Sequence, residues 1–116
     1  MAAIALNTFK TIRKSISTSN VGIYTCPIGV NSIILLAQVT NLTNDSTCQV
    51  TAIHSRPTDP QADYAFANGA YVPPNDSINL APDGRLVLET NDSLKVFASE
   101  NNQLNIVLSV LETAKQ

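Results

Sequence analysis

Apolar and polar residues alternate along most of this chain. In QLNIVLSVL, Leu104, Ile106, Leu108 and Val110 fall on one side of an extended backbone. In DSLKVFAS, Leu94, Val96 and Ala98 line up while Lys95 points away, and in TCQVTAIH, Cys48, Val50 and Ala52 stand opposite Gln49 and Thr51. Ile78 with Leu80, and Leu86 with Leu88, repeat the pattern in shorter runs. A repeat of two is the mark of a strand with one face in a core. Helical spacing is nearly absent, and the frequent β-branched residues suit a pleated surface. The pattern therefore predicts an all-β chain. SIILLAQVT departs from it, because Ile33 to Ala37 are apolar on both faces. Such a strand is central in its sheet, or its outer face is covered by another chain.

Turn formers separate these runs. Pro27-Ile28-Gly29 precedes the two-sided strand, Asp83-Gly84 divides two short runs, and Asn68-Gly69 is suited to closing a two-residue hairpin. SRPTDPQAD, without any pattern, predicts an exposed loop, and Pro73-Pro74 belongs at an edge or in a loop. The triplet Asn-Asp-Ser occurs at 44–46, 75–77 and 91–93, each time before an apolar run. Asn and Asp tolerate left-handed backbone and bond their own main chain, so the triplets read as turns. A cation site would need several oxygens converging on one point, closed by a bidentate acid. The triplets share no such downstream Glu. The Asn-x-Ser/Thr sequons, including Asn41-Leu42-Thr43, matter only in a secretory pathway.

The 116 residues fit one domain, long enough to bury about two-thirds of the unfolded surface. No apolar run is long enough to cross a bilayer. MAAIALNTFKTIRK places its basic residues after its apolar part, so it is a poor secretory signal. The expectation is a protein made and used without export. A net charge of -2 argues against nucleic acid as the main partner. The charge is unevenly spread: residues 1–44 carry +3 from Lys10, Arg13 and Lys14, and the remainder carries -5. A basic leading segment is suited to an acidic neighbour, and equally to three solvated charges on an exposed strand. Cys26 and Cys48 are expected as free thiols filling small apolar spaces.

No catalytic constellation emerges. His54 is the only histidine. Six extended residues, about 20 Å, separate it from Cys48, too far for proton transfer. It reads as an ordinary edge histidine, although an approach of Cys26 from another strand stays open. The acids lie mostly beside turn residues, where solvated carboxylates belong. Phosphate loops, nucleophile elbows and zinc-ligand spacings are absent from the sequence. We therefore expect no enzyme activity, no catalytic or metal residues and no cofactor. Aromatic residues are 5% of the chain, without tryptophan. A hairpin at Asn68-Gly69 would bring Tyr64 near Tyr71, with Phe66 beside them, as a small patch for a sugar. Asp63 beside it makes the patch unsuited to nucleic acid.

Several stretches resemble small virion structural proteins of tailed phages, especially those infecting marine cyanobacteria. They are LNTFKTI, IYTCPIGVNSIILLAQVTNLT, STCQVTAIH, the turn Pro73-Pro74-Asn75-Asp76, GRLVLETNDSLKVFAS and LNIVLSVLET. The resemblance implies one antiparallel β-sandwich, jelly-roll-like, of roughly eight short strands. An extended N-terminal arm (residues 1–8) would precede a sandwich of residues 9–116. It implies a virion protein assembled in the host cytoplasm, either a capsid decoration or a part of the neck, tail or baseplate. Partners would be itself, with a trimer as one candidate, and the major capsid or other virion proteins, with neither nucleic acid nor membrane. The contacts expected on this reading are Ile4, Leu6, Phe9, Lys10, Arg13, Lys14, Ile34 and Leu36. Exposed apolar residues in MAAIALNTFK are explained if the segment lies on its own fold or extends onto a neighbour.

Overall fold

The computed structural model describes residues 7–58, 63–81 and 86–114. All regular structure in them is strand: β1 Asn7–Ile16, β2 Val21–Thr25, β3 Val30–Asn41, β4 Cys48–Ser55, β5 Asp63–Val72, β6 Ser77–Asn79, β7 Leu86–Leu88, β8 Ser93–Ala98 and β9 Leu104–Ala114. The chain folds in half upon itself. β1 pairs with β9, β2 with β8, β3 with β6 and β7, and β4 with β5, every pair antiparallel. Two further pairings, β9 with β3 and β8 with β4, join these hairpin arms into sheets. One sheet, here called A, has the order β1-β9-β3-β6, with β7 also on β3; the other, B, has the order β2-β8-β4-β5. This is jelly-roll order. The described residues form nine strands, against the roughly eight expected, and the short runs at Ile78 and at Leu86 form β6 and β7.

The alternation read from the sequence sets the core. Leu104, Ile106, Leu108 and Val110 of β9 face Cys48, Val50 and Ala52 of β4 and Leu94, Val96 and Ala98 of β8, all buried. In β3 the buried positions are Ser32 and Ile34, then Ala37, Val39 and Asn41. The step of three is a β-bulge: Ile34 opposes Val110 and Leu36 opposes Ser109, leaving Leu35 unpaired. A bulge adds one residue and reverses which positions face inward. It resolves much of the two-sided run, since Ile34 and Ala37 are core residues, Ile33 and Leu36 are half-buried on the outer face, and Leu35 is exposed.

Asn75 and Asn91, from two of the three triplets, have positive φ of 58° and 72°, as turn asparagines do. One expectation is corrected. Asn68-Gly69 closes no hairpin. It lies inside β5, where Gly69 has φ 63° and donates its N–H to Thr51 Oγ1, and the register with β4 shifts. A second bulge of this kind lengthens the edge strand instead of reversing it. The division between an arm of residues 1–8 and a sandwich from residue 9 falls inside β1, where Asn7 and Thr8 oppose Thr113 and Glu112. Among the described residues no buried side-chain nitrogen or oxygen lacks a hydrogen-bond partner.

Candidate functional site

Two polar clusters gather buried titratable side chains, and each ties strands together. In the first, Asp92 of the third triplet is 1% exposed. Its carboxylate accepts from Arg56 Nε at 2.9 Å, Arg56 Nη2 at 2.8 Å and the Glu89 N–H at 2.9 Å, and lies 3.0 Å from His54 Nε2. Arg56 also reaches Glu89 at 2.7 Å. The Arg56 hydrogen bonds hold the Asp92 carboxyl below the usual carboxylate range, and burial opposes them only in part. The cluster ties the turn before β8 to the end of β4. His54 is therefore no edge histidine, because β4 lies between β8 and β5. Cys26 approaches the turn through its backbone, donating its N–H to the Asp92 carbonyl, while its thiol lies against Val30 O and Ser32 Oγ.

The second cluster links the sheets. Tyr24 of β2 donates from Oη to Glu112 of β9 and lies 2.7 Å from Ser32 Oγ of β3. Lys10 Nζ of β1 stands 3.2 Å from the other Glu112 oxygen. Burial, then the bond to Glu112, pushes the Tyr24 hydroxyl well above its ordinary pKa. Asp92 and Glu112 correct the expectation that the acids are solvated. Every buried side-chain nitrogen and oxygen of these clusters has, among the described residues, a hydrogen-bond partner. Among the described residues no group of three His, Cys, Asp or Glu is placed to hold a metal ion.

The outer face of sheet A is of another kind. The pairings Phe9 with Leu111, Leu111 with Ile33, and Ile33 with Val87 place these four residues in one row across β1, β9, β3 and β7. Directly opposed residues share a face. Phe9 is 73% and Val87 49% exposed, with Leu111 and Ile33 half-buried between them. Leu36, half-buried, and Val107, exposed, extend the apolar surface beside the row. The remaining outward positions of these strands hold Asn, Thr, Ser and Gln, and among the described residues Arg13 is the single charge. Sheet B is charged on its surface, with Lys95 paired to Asp63 at 3.4 Å.

Of the expected contacts, Phe9 and Arg13 lie on this face, and Leu36 lies beside them. Lys10 and Lys14 belong to the inward-facing side of β1, opposite Val110 and Ile106, where sheet B does not cover them. Ile34 is fully buried and is corrected from contact to core residue. Ile4 and Leu6 lie outside the described residues. Tyr64 and Tyr71 are exposed but stand near opposite ends of β5, facing His54 and Gln49, five residues of β4 or about 17 Å apart, so their rings are not brought side by side. Phe66 lies between them at a register shift. Sequence reading missed Leu111, Ile33 and Val87 as one surface, because only the register brings them together.

Neither a family model nor a curated protein matches the sequence. Solved structures do share its architecture. The chain matches a protein of Bacillus endospore appendages, described as disulfide-linked pili, with a TM-score of 0.53 and 10% identity over 99% of this chain and 98% of that one. It also matches a protein from the acid-stable capsid of the Helicobacter pylori bacteriophage KHP30, with a TM-score of 0.51 and 11% identity over 97% of this chain and 90% of that one. These are likenesses of fold. Both extend over the whole sandwich, β1 included.

Proposed function

We propose that this chain is a non-enzymatic structural protein of a phage particle, which works by binding copies of itself and neighbouring shell proteins through the outer face of sheet A. The observation that carries this reading is the row Phe9–Leu111–Ile33–Val87 on a sheet face with one charge. Apolar area removed from water contributes about 25 cal/mol per Å². The face spans roughly 20 Å across the strands and 33 Å along them, or roughly 650 Å² in projection. That approaches the roughly 800 Å² per partner of a stable protein contact. A face nearly free of charge pays little desolvation on being covered and sets up no repulsion against a second copy of itself.

The shared fold adds support, since one neighbour comes from a phage capsid and another from a pilus, both built of repeated subunits. Within the particle we place the chain on the head, as a decoration protein that stiffens the shell by covering apolar surface at subunit junctions. The narrower likeness to cyanophage proteins, the assembly in the host cytoplasm and the homo-oligomeric state belong to the same proposal. A location in the neck or tail differs in copy number. Quantitative mass spectrometry of purified phage particles is the test. Hundreds of copies per particle support head decoration, a few support the neck or tail, and absence from the particle overturns the reading.

A further inference from the structure

An edge strand presents a row of unpaired backbone N–H and C=O groups, and folds blunt such rows with short strands, bulges and charges. Sheet A ends on β1 at one side and on β6 and β7 at the other, and sheet B ends on β2 and β5. β6 and β7 have three residues each, β2 has five and a register shift, and β5 shifts register twice against β4. β1 differs, running ten residues against β9 without a shift and holding neither Gly nor Pro. Among the described residues no strand pairs with its other edge. On its inward side Lys10 and Lys14 are exposed and Ile12 is half-buried. Two hollows meet at Lys14 and Ser15, one of about 450 Å³ beside Arg13 and one of about 210 Å³ reaching Val21 and Ile23 of β2.

Charge selects the strand that fits there. β1 carries Lys10, Arg13 and Lys14 and no acid. Glu112 is held by Tyr24 and Lys10, and among the described residues neither Arg13 nor Lys14 has a carboxylate partner. A second copy of β1 does not fit. Antiparallel pairing centred on Ile12 sets Lys10 against Lys14 at both ends, and like charges directly opposite are destabilising. β5 of a second copy offers one acid, Asp63, already held by Ser55 and Lys95, on a bulged edge. We infer that the open edge of β1 accepts an extended acidic segment of a different protein as a further strand of sheet A. Directly opposed residues share a face, so the positions facing Lys10, Ile12 and Lys14 define the segment: a carboxylate, an apolar residue and a carboxylate, each two apart. Main-chain hydrogen bonds supply affinity in strand addition, and alternate side chains supply the choice of partner. This contact uses the edge of the sheet and does not depend on the apolar row of its face.

Titration with a peptide, followed by amide NMR of the full chain, tests it. The probe is a short threonine peptide carrying Glu, Val and Glu at alternate positions, and the control carries Lys in place of both Glu. The expected result is a set of saturable shifts centred on the amides of β1, with slowed hydrogen exchange there. Binding should be at least tenfold weaker for the lysine control and for a Lys14→Glu chain, and should fall as salt rises. Lys14 is exposed, so Lys14→Glu should keep the native unfolding midpoint, which separates loss of the partner from loss of the fold. Val87→Glu, at the far side of sheet A, should leave binding unchanged. Binding that Val87→Glu removes and Lys14→Glu spares places the peptide on the apolar row and overturns the inference. Equal binding of the lysine control overturns it, as does the lack of saturable binding at about 1 mM peptide. A chain that binds the probe yet stays monomeric keeps the inference and removes the self-assembling role.

Discussion

Tyr24 and Glu112, 88 residues apart, meet inside the sandwich, where the tyrosine hydroxyl from sheet B donates to the carboxylate from sheet A. The contact locks β2 against β9 where β1 begins to leave the cover of sheet B. Tyr24→Phe keeps the ring and removes the donor, leaving the buried carboxylate with Lys10 alone. Loss of a hydrogen bond to a buried charged group costs about 1–3 kcal/mol, read as a lower midpoint in urea unfolding. The pH dependence has a definite sign. The folded-state pKa of Tyr24 is raised, so its contribution is complete below the ordinary tyrosine value of about 10 and is lost as pH rises through the folded value. Native protein should lose stability more steeply than Tyr24→Phe at strongly alkaline pH.

Asp92 predicts the opposite limb. Its folded pKa is lowered, chiefly by Arg56, so the stability it contributes is present above the ordinary aspartate value of about 3.9 and is lost as pH falls through the folded value. Asp92→Asn should remove that acid limb from the stability profile. At neutral pH it should cost roughly 2 kcal/mol, within the range for bonds to a charged group. Arg56 is more than a third exposed, so solvent screening trims its share. Equal acid slopes in native protein and variant would contradict the assignment.

How much of this was legible in the sequence depended on range. The alternation in Leu104–Val110 and Leu94–Ala98 fixed strands and core, because facing is a local property of a pleated backbone. The bulge at Leu35 was not legible, because Ile33 to Ala37 are all apolar and the jump of the buried phase from Ile34 to Ala37 appears only in the structure. Asn68-Gly69 misled, because the left-handed backbone that closes a hairpin also makes a bulge, and the choice depends on how β4 accepts the extra residue. Asp92 looked like its two sister triplets; its role depends on Arg56, 36 residues earlier. The apolar row escaped for the same reason, being drawn by pairings between β1, β9, β3 and β7 that no single stretch contains.

The cysteines separate this chain chemically from the disulfide-linked pili whose fold it shares. Cys26 and Cys48 are unpaired and fully buried, and residues 1–6 contain no cysteine. Assembly of the folded chain should therefore proceed without intermolecular disulfides. A non-reducing gel of the oxidised assembly should show single chains, and a thiol reagent should modify both cysteines only after denaturation. Covalent oligomers, or rapid labelling of the folded protein, would refute this.

If the outer face of sheet A holds copies together, sedimentation velocity over a range of concentrations will reveal it most directly. The native chain should form species larger than one subunit, and a Val87→Glu chain should stay folded and monomeric under the same conditions. Val87 is half exposed, so the charge itself should shift stability by no more than about 0.5 kcal/mol. A native chain sedimenting as a monomer throughout, or a Val87→Glu chain that associates as the native one does, would contradict it.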